Sequence, residues 1–142
     1  MEIRNPVVEE FDYKYVRFHE VFNIFVPSLD CTVVIPKGFI CDRESVPLFK
    51  GTSVRGGYVH DYLCRYDSVP VVTKNQAADA YFSIMEARNK ATANKTSGLK
   101  KLWCRMLEGA KRYAKYWTVK VAWGYFHRHK VMASYKEITG KN

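Results

Sequence analysis

Between residues 7 and 41 the chain alternates apolar and polar positions in short runs. Tyr13 to Glu20 puts Tyr15, Arg17 and His19 on one face and Val16 and Phe18 on the other, the period of a half-buried strand. His19 is expected to sit exposed on its strand face. Val21 to Val26 is a second run, rich in β-branched and aromatic residues. Pro27-Ser28-Leu29-Asp30 has turn chemistry, and Cys31 to Ile35 follows as a third strand. Pro36-Lys37-Gly38 interrupts it, and Phe39-Ile40-Cys41 resumes pairing. Short strands joined by short turns predict an antiparallel β-meander over 7–41.

Beyond residue 41 the period changes. Pro47, Gly51, Gly56 and Gly57 predict a polar loop over 42–57. Val59, Tyr62, Leu63 and Tyr66 fall at i, i+3, i+4 and i+7, one face of a short helix over 58–66. After a connector at 67–72, Thr73 with Gln76 three residues on forms a capping box for a helix over 74–89. Its buried stripe is expected to hold Ala77, Ala78, Tyr81, Phe82 and Met85, with Arg88 a further candidate and Asp79 beside it. Residues 89–98 are polar and predict a loop. A long pattern then recurs at three- and four-residue steps through Leu99, Leu102, Trp103, Met106, Ala110, Tyr113, Trp117 and Val121. It predicts a helix over 98–125 that Gly109 or Gly124 bends or ends. Most of its aromatics are read as core, and 126–142 reads as a basic tail. The expected fold is α+β, a single domain over 1–142, with the small meander packed against about three C-terminal helices.

Composition agrees with a folded domain. The chain has 142 residues, 47% hydrophobic and 15% aromatic, enough for one core. No apolar run approaches the roughly 18–20 residues that span a bilayer, and no secretory signal is visible at the start. The four cysteines, Cys31, Cys41, Cys64 and Cys104, match no zinc-ribbon spacing and are read as mostly buried thiols. Charge changes the picture more. Of the net +9, residues 101–142 carry ten basic and two acidic side chains, while residues 1–50 are slightly acidic. This asymmetry favours an anionic partner, a nucleic acid or an acidic surface. Lys101, Arg105, Lys111, Arg112 and Lys115 are the candidate binding residues, with the interleaved aromatics available to stack on bases. The plainer alternative is a solvated helix face.

Candidate chemistry gathers at the two ends of residues 38–63. Asp42, His60, Asp61 and Asp79 offer hard oxygens and an imidazole, and His60, Asp42 and Asp79 are a candidate set for a divalent metal ion. An all-helical HD-type phosphohydrolase would need further histidines, and His127 and His129 lie in the basic tail. Ser45 with His60 and a carboxylate has the residue types of a catalytic triad, without the Gly-x-Ser-x-Gly elbow. Cys41 beside Asp42 is a thiol variant. The plainer alternative has Asp42 and Ser45 capping turns, His60 bonded to a backbone carbonyl, and Asp79 paired with Arg43 or Arg55.

Pro36 to Pro47, in the order Pro-Lys-Gly-Phe-Ile-Cys-Asp-Arg-Glu-Ser-Val-Pro, resembles the Pro-x-Gly-Phe-x-Thr-Asp-x-x-Ser-x-Pro signature of a phage and prophage family, domain of unknown function 1353. His60-Asp61-Tyr62-Leu63 and Ala77 to Met85 are similar to that family's later segments. Cys41 stands where the signature has Thr. The resemblance spans roughly residues 20 to 125. It implies a phage origin, in host cytoplasm or virion, and a shared polar centre at Asp42, Ser45, His60, Asp61 and Asp79. The leading expectation is a phage accessory protein of hydrolase type with His60 as general base or metal ligand. The alternative is a non-enzymatic virion-associated or partner-binding protein that works through the basic helix, its partners being phage structural proteins or an anionic molecule.

Overall fold

The computed structural model describes residues 6–10, 15–42, 54–65, 67–94 and 98–122; the side chains of Glu10, Asp42, residues 92–94 and several α3 positions fall outside that description. It is an α+β fold of five strands and three helices: β1 (Val8–Glu10), β2 (Tyr15–Phe18), β3 (Phe22–Val26), β4 (Cys31–Ile35), β5 (Ile40–Asp42), α1 (Val54–Leu63), α2 (Lys74–Asn94) and α3 (Gly98–Ala122).

All strand pairs are antiparallel, but the order is not a simple meander. β3 and β4 form a hairpin, with Phe22 opposite Ile35 and Val26 opposite Cys31. β2 pairs with β1 and with β5, with Val16 opposite Cys41. The hairpin is thus inserted between two partners of another sheet. Phe18 sits at the junction: its N–H donates to Phe39 O at 2.9 Å, and its carbonyl accepts from Gly38 N at 2.8 Å. Gly38 has φ +84°, which an L side chain rarely adopts, although a Cβ there would meet nothing within 4 Å. The constraint at this turn is therefore conformational.

Strand alternation decides the core. Val16 and Phe18 are fully buried, while Tyr15 and Arg17 are half-exposed and His19 is exposed, with Nε2 3.4 Å from a Glu9 carboxylate oxygen. Phe18 packs its ring 6.0 Å from Phe22, 5.7 Å from Phe39 and 5.1 Å, edge to face, from Tyr58 of α1. Phe39 meets Tyr62 edge to face at 5.7 Å. Val33, Ile35, Val59 and Leu63 complete a core continuous with Ala77, Ala80 and Ile84 of α2.

The helices differ from the sequence expectation at their ends. α1 begins at Val54, so Gly56 and Gly57 lie within it and not in the loop. Gly56 is buried together with Tyr58, Val59, Tyr62 and Leu63. Burial of that face outweighs a helix cost of about 1 kcal/mol per glycine. Tyr66 lies outside the described residues. α2 starts at the expected capping box: Gln76 N donates to Thr73 Oγ1 at 3.3 Å and Thr73 N to Gln76 Oε1 at 2.9 Å. It continues to Asn94, through residues read as loop, and a Glu86–Lys90 pair at 3.4 Å bridges the expected end of the helix.

α2 is the middle layer. The face carrying Ala77, Ala80, Tyr81 and Ile84 looks to the core and α1, and the face carrying Asp79 and Phe82 looks to α3. α3 returns antiparallel along it, since Asp79, early in α2, meets Tyr116, late in α3. Gly109 lies inside α3 and does not end it; Gly124 and the tail 126–142 are outside the described residues.

Candidate functional site

The polar centre expected from the sequence draws on β5, α1 and α2. Asp42 ends β5, with only its backbone described, and Ser45 and Arg43 lie outside the described residues. His60 and Asp61 lie on α1, each half-buried, with His60 Nδ1 3.5 Å from Asp61 Oδ1. One turn later Cys64 brings its sulfur 3.8 Å from Nδ1 and 3.6 Å from Nε2 of the same ring. A thiol on the lone-pair axis of one ring nitrogen would stand much nearer that nitrogen than the other. Near-equal distances therefore put the sulfur beside the ring and off both axes. Cys64 is buried, and the imidazole also meets the Tyr81 ring edge to face at 6.1 Å between centroids. The His60–Cys64 contact was legible as an i, i+4 pair, a signal the sequence reading passed over.

Asp79 does not join this group. It is exposed on the face of α2 away from Tyr81, and it accepts a hydrogen bond from Tyr116 Oη at 3.0 Å. Residues two apart on a helix point nearly opposite ways, so the imidazole that packs on Tyr81 and the carboxylate of Asp79 lie on different sides of α2. The expectation that Asp79 borders the buried stripe fails because Ala80 and Ile84, not Phe82, share that stripe with Ala77 and Tyr81. The Asp79–Arg55 pairing is likewise replaced by the tyrosine contact. Among the described residues no group of three or more His, Cys, Asp or Glu side chains could hold a metal ion.

A partly buried ion pair that the sequence reading missed lies just beyond α1. Arg65 is buried, and its Nε and Nη2 donate to Asp67 Oδ1 and Oδ2 at 2.6 and 2.7 Å. The guanidinium also stands 5.3 Å over the ring of Phe39. These hydrogen bonds, helped by the positive charge of Arg65 and opposed by partial burial, hold the Asp67 carboxyl below its ordinary range. The arrangement ties the α1–α2 connector to the core.

The other candidate surface is α3. Its contacts with α2 use Tyr113 and Tyr116, whose rings lie 5.4 and 5.2 Å from Phe82. The rest of the apolar stripe is not core. Leu99 is 77% exposed, Trp103 63%, Met106 65% and Trp117 59%, and Leu102 and Leu107 are more than half exposed. The expectation that these aromatics are core is thereby corrected: the periodicity marks an apolar face, but α2 covers only one edge of it. Of the candidate binding residues, Lys111 is exposed, while Lys101, Arg105, Arg112 and Lys115 are described in their backbone alone. By helical spacing these five positions fall on the side of α3 away from Leu99, Met106 and Trp117.

Compared with protein-family models, curated proteins and solved structures, the chain matches none.

Proposed function

We propose that this is a binding protein whose working surface is α3, presented to an anionic partner by the small α+β platform. The observation that carries the reading is the exposed apolar stripe of Leu99, Leu102, Trp103, Met106, Leu107 and Trp117 on a helix with seven basic residues and one acidic one. A contiguous apolar patch in water costs free energy that a partner removes. The basic positions beside it select for negative charge and speed encounter. Such association weakens steeply with salt, because the attraction is screened. Lys111→Glu, at an exposed position, should weaken binding at low salt and flatten its salt dependence without changing the fold. Salt-independent affinity that survives this substitution would refute the reading.

A second reading keeps the polar centre as a hydrolytic site, in a phage accessory protein of the resembled family. Its support is the partly buried His60 beside Asp61 and Cys64, together with the motif that carries Asp42 and Ser45. In this reading His60 is the general base or a ligand to a divalent metal ion, with Asp42 completing or orienting the site; Asp79, on the other side of α2 and bonded to Tyr116, stands outside it. Metal analysis of the purified protein beside its His60→Ala variant tests the metal form. Stoichiometric metal lost in the variant supports it, and a metal-free wild type refutes it.

A further inference from the structure

Resting on the binding reading of α3, we infer that its partner is an anionic lipid surface, with the helix lying in the plane of the interface. Three features of α3 meet on this occupant. Its apolar arc is exposed from Leu99 to Trp117, a length of about 27 Å at the helical rise. Positions Lys100, Lys101, Arg105, Lys111, Arg112 and Lys115 lie outside that arc, while Lys120 follows its end in line with Leu102; the seven give the helix a net charge of +6 against the single Glu108. The exposed ring systems are Trp103, Tyr113 and Trp117, which combine an apolar body with a polar edge and suit headgroup depth. No helix among the described residues is long and apolar enough to cross a membrane, so α3 would lie on the surface.

The other occupants fit less of this. A nucleic acid would engage the basic side and leave Leu99, Leu102, Met106 and Leu107 in water, since aliphatic side chains give bases no stacking platform. A second copy would cover the apolar arc but bring two helices of net charge +6 side by side. An anionic bilayer does both tasks: acyl chains receive the apolar arc, and headgroups neutralise the flanks. The Tyr116–Asp79 hydrogen bond and the Phe82 contacts tie one edge of the helix to α2, and the side chains of the arc remain more than half exposed.

The test uses the full chain carrying Trp123→Phe, so that Trp103 and Trp117 report, with phosphatidylcholine vesicles prepared with and without phosphatidylglycerol. Partition onto the anionic vesicles should be about tenfold or more tighter than onto the neutral ones. Tryptophan emission should shift to the blue and become shielded from acrylamide. Lys111→Glu should weaken partition by about fivefold or more, at roughly one basic residue's worth of surface attraction. Met106→Ser, at an exposed position that the platform does not need, should weaken it with circular dichroism unchanged. Vesicle binding without tryptophan shielding would overturn the inference, because the apolar arc would not be inserted. Tryptophans already shielded without vesicles, in a concentration-dependent way, would overturn it in favour of a second copy. Salt-dependent binding to duplex DNA or to an acidic protein, with no partition onto vesicles, would overturn it and leave the broader binding reading standing. Failure to bind any of these anionic probes would remove both.

Discussion

Two groups of apolar side chains in this molecule have opposite fates. Phe18, Phe39, Tyr58 and Tyr62 are gathered from a strand, the turn that leads into β5 and a helix into a closed cluster, each nearly or fully removed from water. Leu99, Trp103, Met106 and Trp117 come from a single helix, and they remain more than half exposed. Being aromatic does not separate the groups, because large rings occur in both. The difference is how many elements converge. The first cluster is the meeting point of β2, β5, α1 and the β3–β4 hairpin, whereas the second is touched by α2 along one edge. Burial that ties distant segments together supports the fold, and burial still undone is available for a partner.

The comparison breaks most visibly at Phe18. Phe18→Ala removes a fully buried ring from the centre of three aromatic contacts, and it should cost about 3–5 kcal/mol in urea or thermal unfolding. That is a large part of the stability of a domain this size. A loss under about 1 kcal/mol would mean that the cluster is not the structural centre, and the contrast with α3 would collapse.

A smaller effect is expected at Asp67, which fixes the same core through Arg65. Asp67→Asn leaves the buried guanidinium with weaker partners and should cost about 2 kcal/mol at neutral pH. The carboxyl is held below its ordinary range, so its contribution is present above the unfolded value of about 4 and lost as pH falls through the folded value. Wild type and variant should therefore differ most near neutrality and converge in acid. A stability gap that is constant from neutral pH down to about pH 3 would show that packing, and not charge, carries the effect.

Much of the platform was readable because its signals are local. The alternation at Tyr15 to Phe18, the turn at Pro27 to Asp30 and the Thr73–Gln76 box each involve residues within a few positions of each other. The β2–β5 pairing was not readable, since its partners are more than twenty residues apart and nothing in either strand names the other. The start of α1 was misread because glycine has a poor helix propensity, and the close packing that overrides it is tertiary. Of the polar centre, the neighbours His60 and Asp61 were legible and Cys64 was derivable from helical spacing. The position of Asp79 was not, because it depends on which side of α2 the third helix docks. The stripe of α3 was legible as a stripe. What lies against it could not be, since periodicity fixes a face and is silent about its occupant.

The smallest effect sharpens the comparison most. Gly109 lies within α3, and a Cβ there would meet nothing within 4 Å. Gly109→Ala therefore changes helix propensity without adding a contact, a gain of about 0.5–1 kcal/mol for helix formation. If α3 opens independently of the core, that gain belongs to α3 alone. Its backbone amides should exchange about twofold to fivefold more slowly, while the amides of β2 and β5 and the melting temperature stay as they are. If α3 instead unfolds together with the platform, the same substitution raises protection everywhere and moves the melting temperature upward. The first pattern is expected, because Phe82, Tyr113, Tyr116 and Asp79 join α3 to α2 by one edge, whereas the Phe18 cluster is closed on every side. A helix held that way can tilt or detach its free edge toward a partner without opening the core.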